Sequence, residues 1–493
     1  MDRYYLLILL FSGVVLTNQA AAIERDDTRR LQQQRIERQA FEQERGLLQE
    51  AEVEASGKTP GLRADEQTYA VERNASDLGQ ALYLSLQHHQ WPTAQSFLAE
   101  YVQLPDQDPL LVHYAQGALA RAHGQLELAE AEFRALLYLQ PDFLPARLEL
   151  ARVMFENAKE REAEQAFSEI YRAIGSADIN AAGVRRTIAT YLAALEKRRA
   201  WTSTLSVGSR WSDNINRSSA SRTCLVPGDS GVCYIERELP KQIKAFGSDV
   251  EASLQRRFPL KQHHGLYLRA QADATRYRHH TQYNEASISA QAGYSYRDAG
   301  QQILVGPAVT HYQWGKRALY DTWGLHAEWR STPSDRSMIK MEGDYQITRY
   351  RQNAYAQYFD GAALSLYATY FRSTASGVTL FAGLDAEASR ARADVQRYQQ
   401  TGMRVGSAFQ AQGYTATAFA SYRYRRYGAY NPLLEARRHD NEQGYTMVLT
   451  AERWKVAGFV PSLTLRHHKV RSNVGWLYSY DRNEVSVKLE YAT

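Results

Sequence analysis

The 493-residue sequence predicts a membrane protein of two kinds of structure: a helical-repeat domain followed by an antiparallel transmembrane β-barrel of about 14 strands. A secretory leader, a break in composition near residue 200, and an apolar period that changes there from helical to two lead to this expectation. Seven of the eight tryptophans lie beyond residue 200, with most of the tyrosines and glycines, whereas the earlier part is rich in Ala, Leu, Glu and Gln.

The leader is "MDRYYLLILLFSGVVLTNQAAA", with Arg3, an apolar run from Leu6 to Leu16, and Ala20 and Ala22 placed for cleavage. The run is well short of the roughly 20 residues a membrane-spanning helix needs, so residues 1–22 read as a signal peptide. Residues 23–75 are dense in Gln, Glu and Arg and too poor in apolar residues to form a core, which predicts a flexible extension.

Residues 76–198 carry the helical period. "GQLELAEAEFRALLYLQP" and "AKEREAEQAFSEIYRAIG" align Ala129 with Ala163 and Phe133 with Phe167, both at a spacing of 34, the tetratricopeptide period. Gly117 fits the small position of the preceding helix, a weaker earlier copy surrounds Ala94 and Leu98, and "RRTIATYLAALEKRRA" reads as a closing helix with Tyr191 and Leu192 inward. Such helix pairs bury their apolar faces only by stacking, and the stack leaves a concave surface for extended protein segments.

From 199 to 493 the period is two. In "GLYLRAQADATRY", Leu266, Leu268, Ala270, Ala272 and Ala274 alternate with Tyr267, Arg269, Gln271, Asp273 and Thr275; in "SMIKMEGDYQIT", Ile339, Met341, Gly343, Tyr345 and Ile347 alternate with Lys340, Glu342, Asp344 and Gln346. Strands of this length, joined alternately by short links ("RDAGQ", "STPSD", "AQG", "KVAG") and long ones (214–241, 427–443), follow the pattern of an outer-membrane barrel around a wet interior. Trp211, Tyr277, Trp314, Tyr320, Trp329 and Trp476 are expected in the interfacial girdles.

Cys224 and Cys233, the only cysteines, flank G-D-S-G at 228–231. In an oxidising compartment they are expected to pair and staple an outer loop, and Ser230, without a recognisable His and Asp partner set, reads as a loop residue rather than a nucleophile. The histidine pairs 88/89, 263/264, 279/280 and 467/468 point to opposite faces, which does not predict a metal site. Glu342 and Asp344 share a face and could support acid/base chemistry, but a polar barrel wall needs such residues anyway. The expectation is a protein without enzymatic activity, cofactor or metal. A formal charge of +5 with interspersed signs predicts no nucleic-acid partner.

The order of leader, short repeat array and barrel resembles the surface lipoprotein assembly modulator (Slam) family of Gram-negative outer-membrane proteins. "RWSDNIN" at 210–216, with Asp213, Asn214 and Asn216, is similar to the family's stretch closing the first strand, although Asn follows the Asp directly here. "RYRRYGAYNPLLEARRHDNEQ" and the closing segment, with Ser472, Asn473, Tyr480, Asp481 and Arg482, resemble the family's late strands. The resemblance implies a translocon delivering lipoproteins, or related haem- and iron-acquisition proteins, to the cell surface, with its helical domain in the periplasm. Its expected partners are cargo, outer-membrane lipids, the barrel-assembly machinery and periplasmic chaperones, and it is expected to be monomeric. A polysaccharide export pore is the alternative, although such exporters usually carry a longer helical array.

Overall fold

The computed structural model describes residues 73–174, 182–227 and 233–493. The leader, most of the charged extension and the G-D-S-G stretch with Ser230 lie outside the described residues.

The helical part comprises α1 (Ala75–Gln87), α2 (Trp91–Tyr101), α3 (Pro109–Ala122), α4 (Leu126–Leu139), α5 (Leu144–Glu156), α6 (Glu160–Ala173) and α7 (Ala182–Arg199). Local chemistry sets the starts: Asn74 caps α1 by accepting from the Asp77 amide, and Asp108 caps α3 just before Pro109, which occupies a position needing no amide proton. The residues of the 34-residue period meet at the helix contacts. Ala129, Phe133, Ala163 and Phe167 are fully buried in one core with Tyr191, whose ring stacks on Phe167 at 4.9 Å. A methyl group on Gly117 would stand 2.9 Å from the Phe133 ring, so only glycine lets α3 and α4 approach this closely. Ala94 is likewise buried in a smaller core shared by α1, α2 and α3.

The barrel strands are β1 (Thr202–Ser212), β4 (Ala245–Pro259), β5 (His264–Tyr277), β6 (Glu285–Arg297), β7 (Gln301–Trp314), β8 (Arg317–Ser334), β9 (Ser337–Tyr350), β10 (Gly361–Ser373), β11 (Val378–Ala391), β12 (Tyr398–Ala411), β13 (Tyr414–Tyr427), β14 (His439–Ala451), β15 (Phe459–Ser472) and β16 (Tyr480–Ala492). A separate hairpin, β2 (Arg222–Pro227) and β3 (Cys233–Glu238), lies between β1 and β4. The 14 strands close into an antiparallel barrel when β1 pairs with β16. Links on one side are short, such as 335–336 and 412–413. In the latter, Gln412 and Gly413 both have positive φ, as a two-residue hairpin turn requires. The other side carries longer segments, including 213–244, 351–360 with α8 (Asn353–Phe359), 428–438, and 473–479 with α9 (Gly475–Tyr478). The loop expected over 427–443 ends at Arg438 rather than at 443, because His439 to Gln443 already pair with β13.

Alternation resolves into faces. Leu266, Met341 and Tyr345 point out and are exposed, while Arg269, Lys340, Glu342 and Asp344 point in and are buried. Of the expected girdle residues, Trp211 and Trp329 share the outward positions of their strands. Tyr277, Trp314 and Tyr320 instead point inward near the outer mouth, and Trp476 sits on α9, because their positions share the parity of the lumen side chains or lie off the barrel wall. Tyr312, Leu319, Tyr350, Phe359, Val474 and Tyr478 form an apolar cap there.

Cys224 and Cys233 form a disulfide across β2 and β3. It closes a short loop, a constraint worth about 2–3 kcal/mol by chain entropy. Cys224→Ser is therefore expected to insert normally but to be cut faster between β2 and β3 by external protease; unchanged cleavage would contradict a stapling role. Phe133→Ala should cost the repeat core about 3–5 kcal/mol, read as protease sensitivity within 75–199 while the barrel keeps its heat-resistant gel mobility.

Candidate functional site

Three places combine chemistry with position: the charged lumen wall, the seam between first and last strands, and the contact between helices and barrel. In the lumen, charges are neutralised by neighbours rather than by an open aqueous interior. Glu328 accepts from Arg269 at 3.3 Å and faces Lys340 at 3.5 Å, and His326 sits 2.7 Å from Asp344. Glu342 faces Lys340 at 3.5 Å, so the carboxylates two apart on β9 are both engaged in ion pairs. Arg425 bridges Gln400 at 2.7 Å and Glu442 at 3.2 Å, and Asp385 lies between Arg404 and Arg423. Side chains expected to line a wet wall are thus buried against one another.

At the seam, Arg210 on β1 reaches Asp249 on β4 at 2.6 Å and Glu484 on β16 at 3.6 Å. Lys488 on β16 crosses β1 to meet Glu251 at 2.6 Å and Asp249 at 3.3 Å. It passes over Gly208, its register partner, where an added methyl would stand 2.1 Å from the Val487 carbonyl oxygen and 2.8 Å from Lys488 Cγ. A glycine therefore opens the path by which one charge ties three strands together.

Several residues singled out in the sequence meet at the outer end of this seam. Asp213 accepts from the backbone and side-chain nitrogens of Asn483 at 2.8 and 2.6 Å, and the buried Asn214 donates to the carbonyls of Asp481 and Ser218, both at 3.0 Å. Asp481 accepts from Arg471 at 2.7 Å, and Arg482 donates to Glu484 at 2.5 Å. Tyr480 stacks edge-on against His468, 5.8 Å between ring centroids. Ser472 and Asn473 act one strand away: the Ser472 amide donates to Ser479 Oγ at 2.9 Å, while Asn473 accepts from the His439 amide and donates to the Arg437 carbonyl. Asn216 stands apart, bracing Lys241 and Ile243 at the base of the hairpin.

The third place was not legible in the sequence. Glu160, the first residue of α6, is 1 % exposed and lies 3.1 Å from Arg257 and 3.6 Å from Arg297, at the short-turn ends of β4 and β6. Beside it, the Gln262 amide donates to Glu162 at 2.7 Å, and His263 stands 3.3 Å from Glu127 on α4. Lys159 bridges Glu127 and Glu130 at 3.1 and 2.8 Å. Burial works to raise the Glu127 carboxyl, but hydrogen bonds from Lys159, Asn157 and His263 outweigh it and hold the carboxyl below its ordinary range. Burial likewise opposes the Lys159 charge, and Glu130 and Glu127 overcome it, raising the ammonium.

Residues 201–492 match the surface lipoprotein assembly modifier family, and residues 66–167 match that family's N-terminal TPR repeats. The chain belongs to this family. It is 36 % identical over 477 residues to the hemophilin secretion modulator of Acinetobacter baumannii, covering 94 % of this chain and 96 % of that protein. It is 25 % identical over 478 residues to surface lipoprotein assembly modifier 1 of Neisseria meningitidis serogroup B, covering 90 % of this chain and 89 % of that one. Like the family, it is an outer-membrane barrel with its repeat domain on the periplasmic side, which makes the short links periplasmic and the long segments extracellular. The 213–244 segment, with its disulfide hairpin, is accordingly on the cell surface.

Removing one partner from a buried ion pair leaves the other charge uncompensated, at a cost of about 3–5 kcal/mol. Asp249→Ala, which takes from Arg210 and Lys488 the carboxylate they share and leaves each with one acidic partner, is expected to cost part of that amount and to lower the temperature at which the barrel loses its folded gel mobility; an unchanged transition would contradict the seam assignment. A carboxyl held below its ordinary value stabilises the folded arrangement above that value and stops doing so as pH falls through the lower one. The contact at Glu127 should therefore be intact near neutrality and weaken below about pH 4, read as faster protease cleavage at turn 260–263 in detergent.

Proposed function

We propose that this protein is a translocon that moves lipoproteins, or related haem- and iron-acquisition proteins, from the periplasm to the cell surface. Membership of the family supports the reading, as does likeness over nearly the whole chain to relatives named for hemophilin secretion and surface lipoprotein assembly. The observation that carries it is the burial of Glu160 between Arg257 and Arg297. That contact holds the repeat stack at the periplasmic rim, where a segment bound by the helices is delivered to the barrel. In this reading residues 1–22 direct export and are removed, periplasmic chaperones and the barrel-assembly machinery insert strands 199–493, and the chain works as a monomer without catalysis.

The test is a deletion strain in which surface lipoproteins and secreted proteins are labelled from outside. One or more should be lost from the surface and accumulate inside, restored by the full chain. Full exposure of every such protein, with loss of a secreted glycan instead, would replace this reading with a polysaccharide export pore. Removal of residues 23–198 should strongly reduce export while the barrel still inserts, and Glu160→Arg should do so with both parts folded; undiminished export in both would remove the helices from the mechanism.

A further inference from the structure

The outward face of the barrel is asymmetric along β11 to β15. At the periplasmic edge these five strands present Val378, Leu380, Phe409, Ala411, Tyr414, Ala416, Leu449, Ala451 and Phe459, without one charge. At the extracellular edge the same face carries Arg390 on β11, Arg426 on β13, and Lys469 and Arg471 on β15, with Gln399 and His439 between them. Pairing places Gln399 and His439 directly beside Arg426, so the polar positions form one continuous rim. Just below lie the outward-facing rings of Tyr422, Tyr424 and Tyr445.

Arg471 is neutralised by Asp481 at 2.7 Å. Arg390 and Arg426 are exposed and have no ion-pair partner among the described residues; Lys469 forms no ion pair among them either, although its register partner on β16 is Asp481, which Arg471 engages. The three cations occupy alternate strands, two strand spacings or roughly 10 Å apart across the sheet. Lumen arginines of the same strands, by contrast, have acidic neighbours, as Arg425 has Glu442 and Arg423 has Asp385. Cations left unpaired at the boundary between an apolar band and water suit an anion supplied by the membrane itself, and a guanidinium fork fits phosphate oxygens.

The geometry points to a binding site for a phosphorylated glycolipid of the outer leaflet, lipopolysaccharide, on the outer edge of β11–β15. Arg390, Arg426 and Lys469 hold its headgroup phosphates, Gln399 reaches its sugar hydroxyls, and the tyrosines flank its acyl chains. The site lies outside the lumen, two strands from Gly208, and it does not depend on which cargo the protein moves.

The test is a titration of the full chain in detergent with purified rough-type lipopolysaccharide, its dephosphorylated form, and inorganic phosphate. Each cation is expected to contribute roughly fivefold in affinity, so the triple change Arg390→Gln, Arg426→Gln and Lys469→Gln should weaken lipopolysaccharide binding on the order of a hundredfold. Dephosphorylated glycolipid should bind the wild-type chain as weakly as the triple variant binds the phosphorylated form. Arg372→Gln, an outward charge at the periplasmic edge of β10, should change nothing. If the triple variant does not fold, Arg390→Gln and Arg426→Gln singly should each show their share of the loss. Equal affinity of variant and wild type, equal affinity for the dephosphorylated lipid, or full competition by equimolar inorganic phosphate would each overturn the assignment.

Discussion

A strand crossing a bilayer cannot leave its amides and carbonyls without partners, so the first strand of the barrel must find the last. The β1–β16 pairing meets that requirement, and much of the rest of the chain is arranged around it. Nine register pairs run from Thr204 with Ala492 to Ser212 with Glu484. Inside the barrel, Arg210 and Lys488 extend this joint to β4 through Asp249 and Glu251. Outside, Asp213 and Asn214 continue it beyond the last strand pair by binding Asn483 and the Asp481 carbonyl. The loop that follows is then held over the mouth: Ser219 and Ser221 donate to the Trp476 carbonyl, and Arg237 lies 3.4 Å over the Trp476 ring.

The same closure fixes where the helices stand. With fourteen strands, both ends of the barrel emerge on one side, so α7 enters β1 from the periplasm and the repeat stack hangs beneath the short turns. A covalent link of two residues between Arg199 and Thr202 would leave the stack free to swing. Glu160 restricts it, because a carboxylate buried beside two arginines is costly to expose unpaired. The repeat fold contributes rigidity to that contact: Phe133, fitted over Gly117, and Phe167, stacked on Tyr191, make α3 to α7 a continuous packed unit.

Much of this was legible before any fold was known. Periodicity alone separates inward Arg269, Lys340, Glu342 and Asp344 from outward Leu266, Met341 and Tyr345, because a strand exposes successive residues to opposite faces. The repeat spacing likewise identifies Phe133 and Phe167. Aromatic placement was harder to read: Tyr277, Trp314 and Tyr320 have the composition of girdle residues and the parity of lumen residues, and their parity depends on strand boundaries that composition does not resolve. The resemblance marked Asp213, Asn214, Asp481 and Arg482 without indicating that Asn214 binds the Asp481 carbonyl, that Asp213 takes Asn483, or that Arg482 pairs with Glu484. The contact at Glu160 had no signal at all, since an acidic residue opening an amphipathic helix looks like any helix-dipole partner.

The sequence by itself determined the two kinds of structure, the order in which they come, the faces of strands such as 265–277 and 337–348, and the two cysteines available to staple the outer hairpin. These follow from period, composition and compartment, which act over a few residues at a time. Only the tertiary structure decided which charges neutralise one another, why residue 208 must lack a side chain, and where the repeat stack rests. Each of those joins residues tens to hundreds of positions apart, as Lys488 meets Glu251 and Glu160 meets Arg257. Their partners are selected by strand register and closure, which exist only once the whole barrel has formed.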